Sequence, residues 1–339
     1  MATLAQTYMS LVDLFKGTEN DRIAAVIEVL HQAHGIIGDF IAMECNMGCT
    51  HRHTIRTGLP TGAWGALYQG IPQSKSDRQQ VDDTTGFYEQ SGQIDCRLLE
   101  LAPDRNAFRM QESYAHYEAM NQEIATGFFY HSTDSAPEKF KGLGARYGTI
   151  GGSGAGNQIV DGGGTGSDNM SIWFVTHGAN DTCVLYPKGT KAGLEHEDMG
   201  RQRVLDSSSN PYYVEEDIYR WHFGVAVKDW RNNARIANID QSLLAAGSVD
   251  LYGFMRNAYY KLQTRRVGKV DGQQGVGRTV IYCNRDALEA LDALATNQGA
   301  SDNFTRLRPM EIEGQEVLTY RGLPIRETDA LLNTEAQIT

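Results

Sequence analysis

The longest amphipathic pattern in the chain covers residues 104–130. Apolar side chains recur there at every third or fourth position, which places them along one side of a helix; they are Met110, Tyr114, Tyr117, Ile124 and Phe128. Asp104 precedes the pattern and can cap the first turn by accepting from free backbone N–H groups. A helix of this length is a rod of roughly 40 Å. Asn121 lies within its apolar stripe, and the pattern by itself predicts a packing helix.

The segments before this helix predict a helix, two strands and a long insert. Residues 21–41 have the apolar spacing of a second amphipathic helix. Residues 51–57 and 85–99 are strand-like. The insert between them, residues 58–83, is polar and contains Gly and Pro. Connections of this length usually serve as a lid or an interaction arm, or are disordered.

The segments after the long helix predict a flexible loop followed by strands. Residues 142–169 are rich in glycine, which is typical of a mobile surface loop. Residues 171–187 contain two apolar runs around a short polar turn and predict a hairpin. Residues 212–229 alternate between apolar and polar positions, as in a long half-buried strand.

From Ser248 onward the pattern becomes helical again. Ser248 is a suitable N-cap for a helix that ends near Arg265 and Arg266. Residues 279–283 predict a buried strand, and Asn284 can cap a helix over 285–296. Two short strands are expected in 317–327, around Gly322. Mixed sheets with separate helices make the fold class α+β.

Composition and charge exclude several classes of protein. The chain has 339 residues and a formal net charge of −11, so sequence-specific binding to nucleic acid is disfavoured. It has neither an apolar run long enough to span a membrane nor the pattern of a signal peptide. Its five cysteines suit free thiols in a reducing cytoplasm.

One cluster suggests enzymatic chemistry. Cys45, Cys49, His51 and His53 could form a tetrahedral zinc site. The signal is weak because four ligands fall within nine residues, whereas zinc sites usually draw pairs of ligands from two separate segments. A zinc-dependent enzyme is therefore kept as the alternative function. The glycine-rich segment has neither the Gly-Lys-Ser/Thr of a phosphate-binding loop nor the strand–helix context of a dinucleotide site, and no nucleophile elbow occurs.

The order of motifs in the C-terminal third resembles a known family. A helix is followed by Arg278-Thr-Val-Ile-Tyr-Cys-Asn284, a second helix and then Tyr320-Arg-Gly-Leu-Pro-Ile325. This order is similar to the axial domain of tailed-bacteriophage major capsid proteins with the Hong Kong 97-type fold. Four further segments resemble motifs of one group of these proteins: Thr57-Gly-Leu-Pro-Thr61, Gly166-Ser-Asp-Asn-Met-Ser-Ile-Trp173, Tyr186-Pro-Lys-Gly-Thr-Lys-Ala-Gly-Leu194 and Val227-Lys-Asp-Trp-Arg231.

The resemblance implies an α+β capsid fold with an arm, an extended loop, a spine helix, and peripheral and axial domains. It assigns 1–50 to the N-terminal arm and helix, 51–97 to the extended loop, 98–141 to the spine helix, 142–247 to the glycine-rich loop and the β-rich part of the peripheral domain, 248–329 to the axial domain and 330–339 to a C-terminal tail. The β-rich block 171–240 precedes the axial domain, whereas the family usually places such a block after it. We therefore expect a non-cyclic permutation of the connections.

The implied function is that of a major capsid protein without an active site, cofactor or metal. Copies would assemble as hexamers and pentamers into an icosahedral head around double-stranded DNA. Expected inter-subunit contacts are Arg52, Arg56, Trp64, Leu67, Tyr68, Lys75 and Arg78, all in the extended loop 51–97. Expected partners are further copies of the chain, a separate scaffolding protein, a portal protein and a decoration protein, with assembly in the host cytoplasm. A tail-tube or decoration protein is a third class, and the order of elements disfavours it.

Overall fold

The chain divides into two compact units. The computed structural model describes residues 9, 18–19, 22–23, 32–152, 154–264, 277–296, 307–312 and 315–339. The first unit comprises Met1–Gln32, Phe87–Ala125 and Gly193–Phe223, and the second comprises Ala33–Gly86, Thr126–Ala192 and Gly224–Thr339. Helices and strands both contribute, which confirms the α+β class.

The described residues form these helices and strands. The α-helices are α1 Cys96–Leu101, α2 Arg105–Tyr130, α3 Leu143–Arg146, α4 Gln241–Ala245, α5 Leu251–Lys261 and α6 Arg285–Thr296. The strands are β1 Thr18–Glu19, β2 Arg22–Ile23, β3 Ala42–Glu44, β4 Thr50–Gly58, β5 Asp77–Asp95, β6 Ile159–Asp161, β7 Asn169–His177, β8 Thr182–Tyr186, β9 Leu194–Leu205, β10 Pro211–Val227, β11 Ala234–Asp240, β12 Arg278–Cys283, β13 Arg308–Ile312, β14 Gln315–Tyr320 and β15 Leu323–Glu327.

Helix α2 has the predicted length and start. It contains 26 residues, and Asp104 Oδ1 accepts from the backbone N–H groups of Asn106 and Ala107 at 3.0 and 3.1 Å. The predicted apolar stripe is wrong in its first half, because Met110 and Tyr114 are 59% and 62% exposed. The buried side of this part of the helix is formed by Phe108 and Ser113 instead. Apolar side chains surround more than one side of α2, so spacing could not identify the covered side.

A long antiparallel ribbon packs with α2 in the first unit. Strands β9 and β10 pair from Leu194↔Trp221 to Leu205↔Pro211. The predicted alternation of β10 is confirmed around Tyr219, Trp221 and Phe223, which are buried between partly exposed neighbours. It fails at the end of the strand, where every residue from Phe223 to Val227 is buried. Strand β9 was not predicted, because its sequence is polar on both sides and its place is set by pairing with β10.

Ion pairs join α2 to β10 within this unit. Arg105 pairs with Glu215, and Arg109 Nη2 lies 2.8 Å from Asp217 Oδ1. Glu215 and Asp217 are each only 5% exposed, so these carboxylates are held by guanidinium groups.

The second unit is built around β7, which is buried along its whole length. Strand β7 pairs antiparallel with β11 and β12, β12 pairs parallel with β15, and β13, β14 and β15 follow in antiparallel order. Helices α5 and α6 contribute Leu251, Met255 and Leu291 to the same apolar core. The strand predicted over 279–283 and the pair around Gly322 are confirmed.

One hydrophobic core extends across the predicted boundary at residue 247. Strands β7 and β11 belong to the predicted peripheral block 142–247, yet their side chains share one core with α5, β12 and α6 of the predicted axial domain 248–329. Because β11 packs inside that core, the block 171–240 does not stand apart as a unit. The permuted connectivity inferred from that separation loses its support.

The segment 171–187 is not the predicted hairpin. Strand β8 pairs antiparallel with β10 and parallel with β3, and its contact with β7 is one parallel bridge, His177↔Thr182. The two apolar runs, β7 and β8, pair mainly with other strands and not with each other. The short spacing between the runs does not reveal which distant strands they pair with.

Two further expectations change in the second unit, and a third is confirmed. Asp250, not Ser248, caps α5, because its carboxylate accepts from Gly253 N at 2.9 Å. Asn284 caps α6 as predicted, through Ala287 N at 2.9 Å. The glycine-rich segment is partly ordered: β6 pairs parallel with β11.

The ends of the chain also differ from expectation. Within the helix predicted over 21–41, residues 21 and 24–31 lie outside the described residues. The described part contains strand β2 and a short 3-10 turn, Ile37–Asp39, and no α-helix. Arg265 and Arg266 likewise lie outside the described residues. In the predicted tail 330–339, Glu335 is only 8% exposed, so this segment is part of the fold.

Candidate inter-subunit surface

The insert predicted as an extended loop is a two-stranded ribbon with a long tip. Strand β4 pairs antiparallel with the first part of β5, from Thr50↔Thr84 to Gly58↔Asp77. Residues 59–76 connect the two strands and contain no helix or strand. The return strand begins at Asp77 and therefore earlier than the predicted residue 85.

The tip, residues 59–76, has a few internal hydrogen bonds. Ser74 Oγ donates to the Thr61 carbonyl at 2.6 Å, and Gln69 N donates to the Ala66 carbonyl at 3.2 Å. Tyr68 has a positive φ of 66°, a conformation that a bulky residue rarely adopts. The tip therefore has a defined backbone although it lacks regular secondary structure.

The tip exposes five large apolar side chains. Trp64 and Tyr68 are fully exposed at 102% and 106%. The other three are Leu59, Leu67 and Ile71. Clusters of exposed apolar side chains mark interaction sites on soluble proteins. Trp64, Leu67 and Tyr68 were predicted from the sequence as inter-subunit contacts, whereas Leu59 and Ile71 were overlooked even though both lie in the same insert.

Arginine side chains on the ribbon fall into two groups. Arg52 is engaged within the chain, since its Nε and Nη2 each lie 2.7 Å from an Asp82 carboxylate oxygen. This hydrogen-bonded pair lowers the pKa of Asp82. Arg56 and Arg78 are exposed and lie directly opposite each other in the β4–β5 register. Like charges at facing positions repel, so this pair favours a carboxylate from outside the ribbon.

The base of the ribbon is held by a buried carboxylate. Asp83 is 4% exposed and accepts from Arg146 Nη2 at 2.7 Å. The same nitrogen donates to the Val225 carbonyl at 2.8 Å. His53 Nδ1 lies 3.8 Å from Asp83 Oδ2. Arg146 therefore anchors the ribbon to the body of the second unit.

The candidate zinc ligands lie in different environments. Cys45 packs with Cys183, Leu185 and Ala226, whereas Cys49 is exposed. Burial raises the pKa of the Cys45 thiol to about 11 and lowers the pKa values of His51 and His53. In the part of the chain that the structure describes, no group of three or more His, Cys, Asp or Glu side chains could hold a metal ion. The zinc-enzyme alternative is unsupported.

The geometry is therefore that of a structural protein with an exposed apolar arm. The profile of a family described as major capsid protein GP7 matches residues 18–339. The chain belongs to this family of major capsid proteins. It is thus a structural component of a phage capsid, and the predicted identity is confirmed.

A solved structure supports the same assignment. The cryo-EM structure of bacteriophage Epsilon15 is 31% identical in sequence, with a TM-score of 0.76 over 100% of both chains. This establishes the Hong Kong 97-like α+β capsid fold. The bacteriophage JBD30 capsid matches at 9% identity and TM-score 0.47, covering 91% of each chain. The capsid of the native GTA particle matches at 10% identity and TM-score 0.42, covering 65% of this chain and 94% of that one. Scores below 0.5 do not establish a shared fold.

Two negative findings concern known relatives and membrane insertion. None of the curated proteins matches the chain. Among the described helices, none is both long and apolar enough to cross a bilayer.

Proposed function

We propose that this capsid protein assembles as hexamers and pentamers into an icosahedral head, with the β4–β5 ribbon reaching over a neighbouring copy. The observation that carries the proposal is the tip, where Trp64 and Tyr68 are fully exposed. Full burial of a Leu or Ile side chain, such as Leu59, Leu67 or Ile71 of the same tip, stabilises by roughly 1.5–3 kcal/mol. When a neighbouring copy covers the tip, this burial stabilises each contact between copies in the shell.

The extended shape of the ribbon supports the same role. An arm that leaves the body of its own unit can bury surface on a second copy that a compact chain could not reach. Stable interfaces bury about 800 Å² on each partner, and many repeated contacts in a closed shell reinforce one another. Moderate affinity at each ribbon therefore suffices for a stable head.

Charged side chains on the ribbon give the contact its preference for an acidic surface. Arg56, Lys75 and Arg78 are exposed, and the whole chain carries a net charge of −11. A copy of the chain is thus a suitable partner for a basic arm, and complementary charges fix register and increase the association rate. Arg52 has a different role, because its pair with Asp82 stiffens the ribbon.

Other partners follow from the role in the head. A separate scaffolding protein, a portal protein and a decoration protein are proposed, with assembly in the cytoplasm of the bacterial host. The head encloses double-stranded DNA without sequence-specific binding, since the acidic chain offers no net attraction for phosphates. The predicted arm 1–50 and spine helix 98–141 remain part of this proposal.

Shortening the ribbon tests the proposal. Gly58 and Asp77 face each other in the register, so residues 59–76 can be replaced by Asn-Gly, which favours a two-residue hairpin turn. Expressed with scaffolding protein, this variant is expected to give a folded chain with the thermal stability of wild type but no shells in electron micrographs. A matched control replaces only Ser74, as Ser74→Ala, and retains assembly. Normal shells from the shortened variant would refute the role of the ribbon.

A further inference from the structure

Strand β9 is an edge strand of the first unit. Among the described strands its one partner is β10, so the side of β9 that faces away from β10 carries main-chain groups that no described strand pairs. Such an edge is a template for a further strand. Met199 and Leu205 are 40% and 56% exposed along β9. We propose that this outer edge of β9 pairs antiparallel with the same edge of a second copy, about a two-fold axis at Met199 and Gly200.

A bulge divides β9 into two straight segments. The register with β10 shifts at Met199, which has no partner residue on β10. Gly200 has a positive φ of 67° there, and its N–H donates to Asp198 Oδ1 at 2.8 Å. The Met199 carbonyl accepts from Gln202 Nε2 at 2.8 Å. These two main-chain groups are thus satisfied locally at the bulge, and the segments on either side remain available for pairing.

The two segments of β9 carry opposite charge. Residues 194–198 contain three acidic side chains and no Lys or Arg, whereas residues 201–205 contain two arginines and no acidic side chain. Glu197, Arg201 and Arg203 are exposed, and none of the three has an ion-pair partner within the described part of the chain. Both signs of charge on this edge are therefore available to another chain.

Antiparallel pairing of two β9 edges places unlike charges together. The acidic segment of each copy then lies beside the basic segment of the other, on both sides of the axis. Opposite charges on neighbouring strands stabilise a sheet, and like charges destabilise it. Parallel pairing would instead place acidic beside acidic side chains and arginine beside arginine. Charges that only protect an edge repel another strand, whereas the charges of β9 select one arrangement with its own copy.

The resulting contact is isologous, because both copies use the same surface. An isologous contact joins copies in pairs and cannot by itself form a ring, so it would connect one ring of copies to the next. No residue of the β4–β5 ribbon takes part in it. The inference therefore does not depend on the role proposed for that ribbon.

Thiol crosslinking of assembled shells tests the proposal. The chain carries Cys49→Ser, which removes the exposed thiol, together with Met199→Cys. A short bismaleimide is expected to join most chains into dimers on a denaturing gel, because both introduced thiols lie at the axis. Well-formed shells of this variant that give only monomers, or crosslinks to a different polypeptide, overturn the proposal.

The matched control is Tyr213→Cys in the same Cys49→Ser background. Tyr213 is 49% exposed but lies on β10, so both β9 strands of the paired copies separate the two thiols. These chains are expected to remain monomers after the same treatment. Dimers from the control as well as from Met199→Cys would show that the reagent does not report β9 pairing, which contradicts the account.

Charge reversal provides a second readout that depends on the pairing itself. Arg201→Glu with Arg203→Glu makes β9 acidic throughout, and Glu195→Arg with Glu197→Arg makes it predominantly basic. Combined with Met199→Cys, each pair of substitutions is expected to lower crosslinking about tenfold, because like charges then face each other. A mixture of the two kinds of chain restores crosslinking, as dimers of unlike chains. Unchanged crosslinking in each variant alone, or no recovery in the mixture, contradicts the proposal.

Discussion

Arg235 and Glu335 form a buried ion pair in the second unit, with Arg235 Nη2 2.7 Å from Glu335 Oε2. The two residues are 3% and 8% exposed. Ser171 Oγ and Tyr130 Oη also donate to this carboxylate, each at 2.5 Å. The Glu335 carboxylate, in the predicted tail 330–339, therefore accepts hydrogen bonds from β7, from β11 and from the end of α2.

Removing the carboxylate should destabilise the second unit strongly. Glu335→Ala leaves the Arg235 guanidinium buried without its partner, which typically costs about 3–5 kcal/mol. Urea denaturation of the unassembled chain measures the free energy of unfolding. The neighbouring substitution Gln337→Ala is the control, since Gln337 is bonded through its backbone N–H to the Gly166 carbonyl. A loss below about 1 kcal/mol for Glu335→Ala would show that the pair is not a structural anchor.

The buried imidazole of His177 should make stability depend on pH. Burial lowers its pKa from 6.5 to about 4, and its Nε2 is hydrogen-bonded to the Tyr282 hydroxyl at 2.8 Å. The folded state disfavours the charged imidazole, so the contribution to stability is complete above pH 6.5. It is lost as the pH falls toward 4, by about 3 kcal/mol in total.

The measurement for His177 is its imidazole titration by NMR, together with urea denaturation at pH 7 and pH 4.5. The variant His177→Gln cannot titrate and should lose less stability between these two pH values than wild type. Equal losses, or an NMR pKa near 6.5, would contradict this account.

Gly142 is expected to resist substitution because its backbone packs against the end of α2. A Cβ atom at this position would lie 2.6 Å from the Gly127 carbonyl oxygen, which cannot move without shifting the helix. Gly142→Ala should cost about 1–3 kcal/mol, the usual range for overpacking. Gly38→Ala is the matched control, because a Cβ there would meet nothing within 4 Å. Thermal unfolding of both variants, measured side by side, distinguishes the two positions; equal melting temperatures would be the contrary result.

The sequence was most informative where local chemistry decides the structure. Helix α2 and its Asp104 cap were predictable, because capping and apolar spacing act within a few residues. The cap at Asn284 and the turn at Gly322 were predictable for the same reason. Pairing between distant strands was not, so the 171–187 segment was mistaken for a hairpin. Strand β9 was missed since its polar sequence carries no strand signal without β10.

At the candidate surface, too, local features were predictable from the sequence and long-range pairing was not. Exposure of Trp64 and Tyr68 followed from their place in a polar, Gly- and Pro-containing insert. The engagement of Arg52 by Asp82, and the facing of Arg56 and Arg78, depend on the register of β4 and β5, which composition does not reveal. The α2 stripe was recognised as apolar, but which part of it the chain itself covers depends on tertiary packing.

A cryo-EM reconstruction of the assembled shell tests the central claim most directly. The exposure of Trp64 and Tyr68, complete in the single chain, is the quantity to compare. The account predicts that in the shell both side chains are buried against another copy of the chain. Tips that remain fully exposed between well-resolved copies would contradict it.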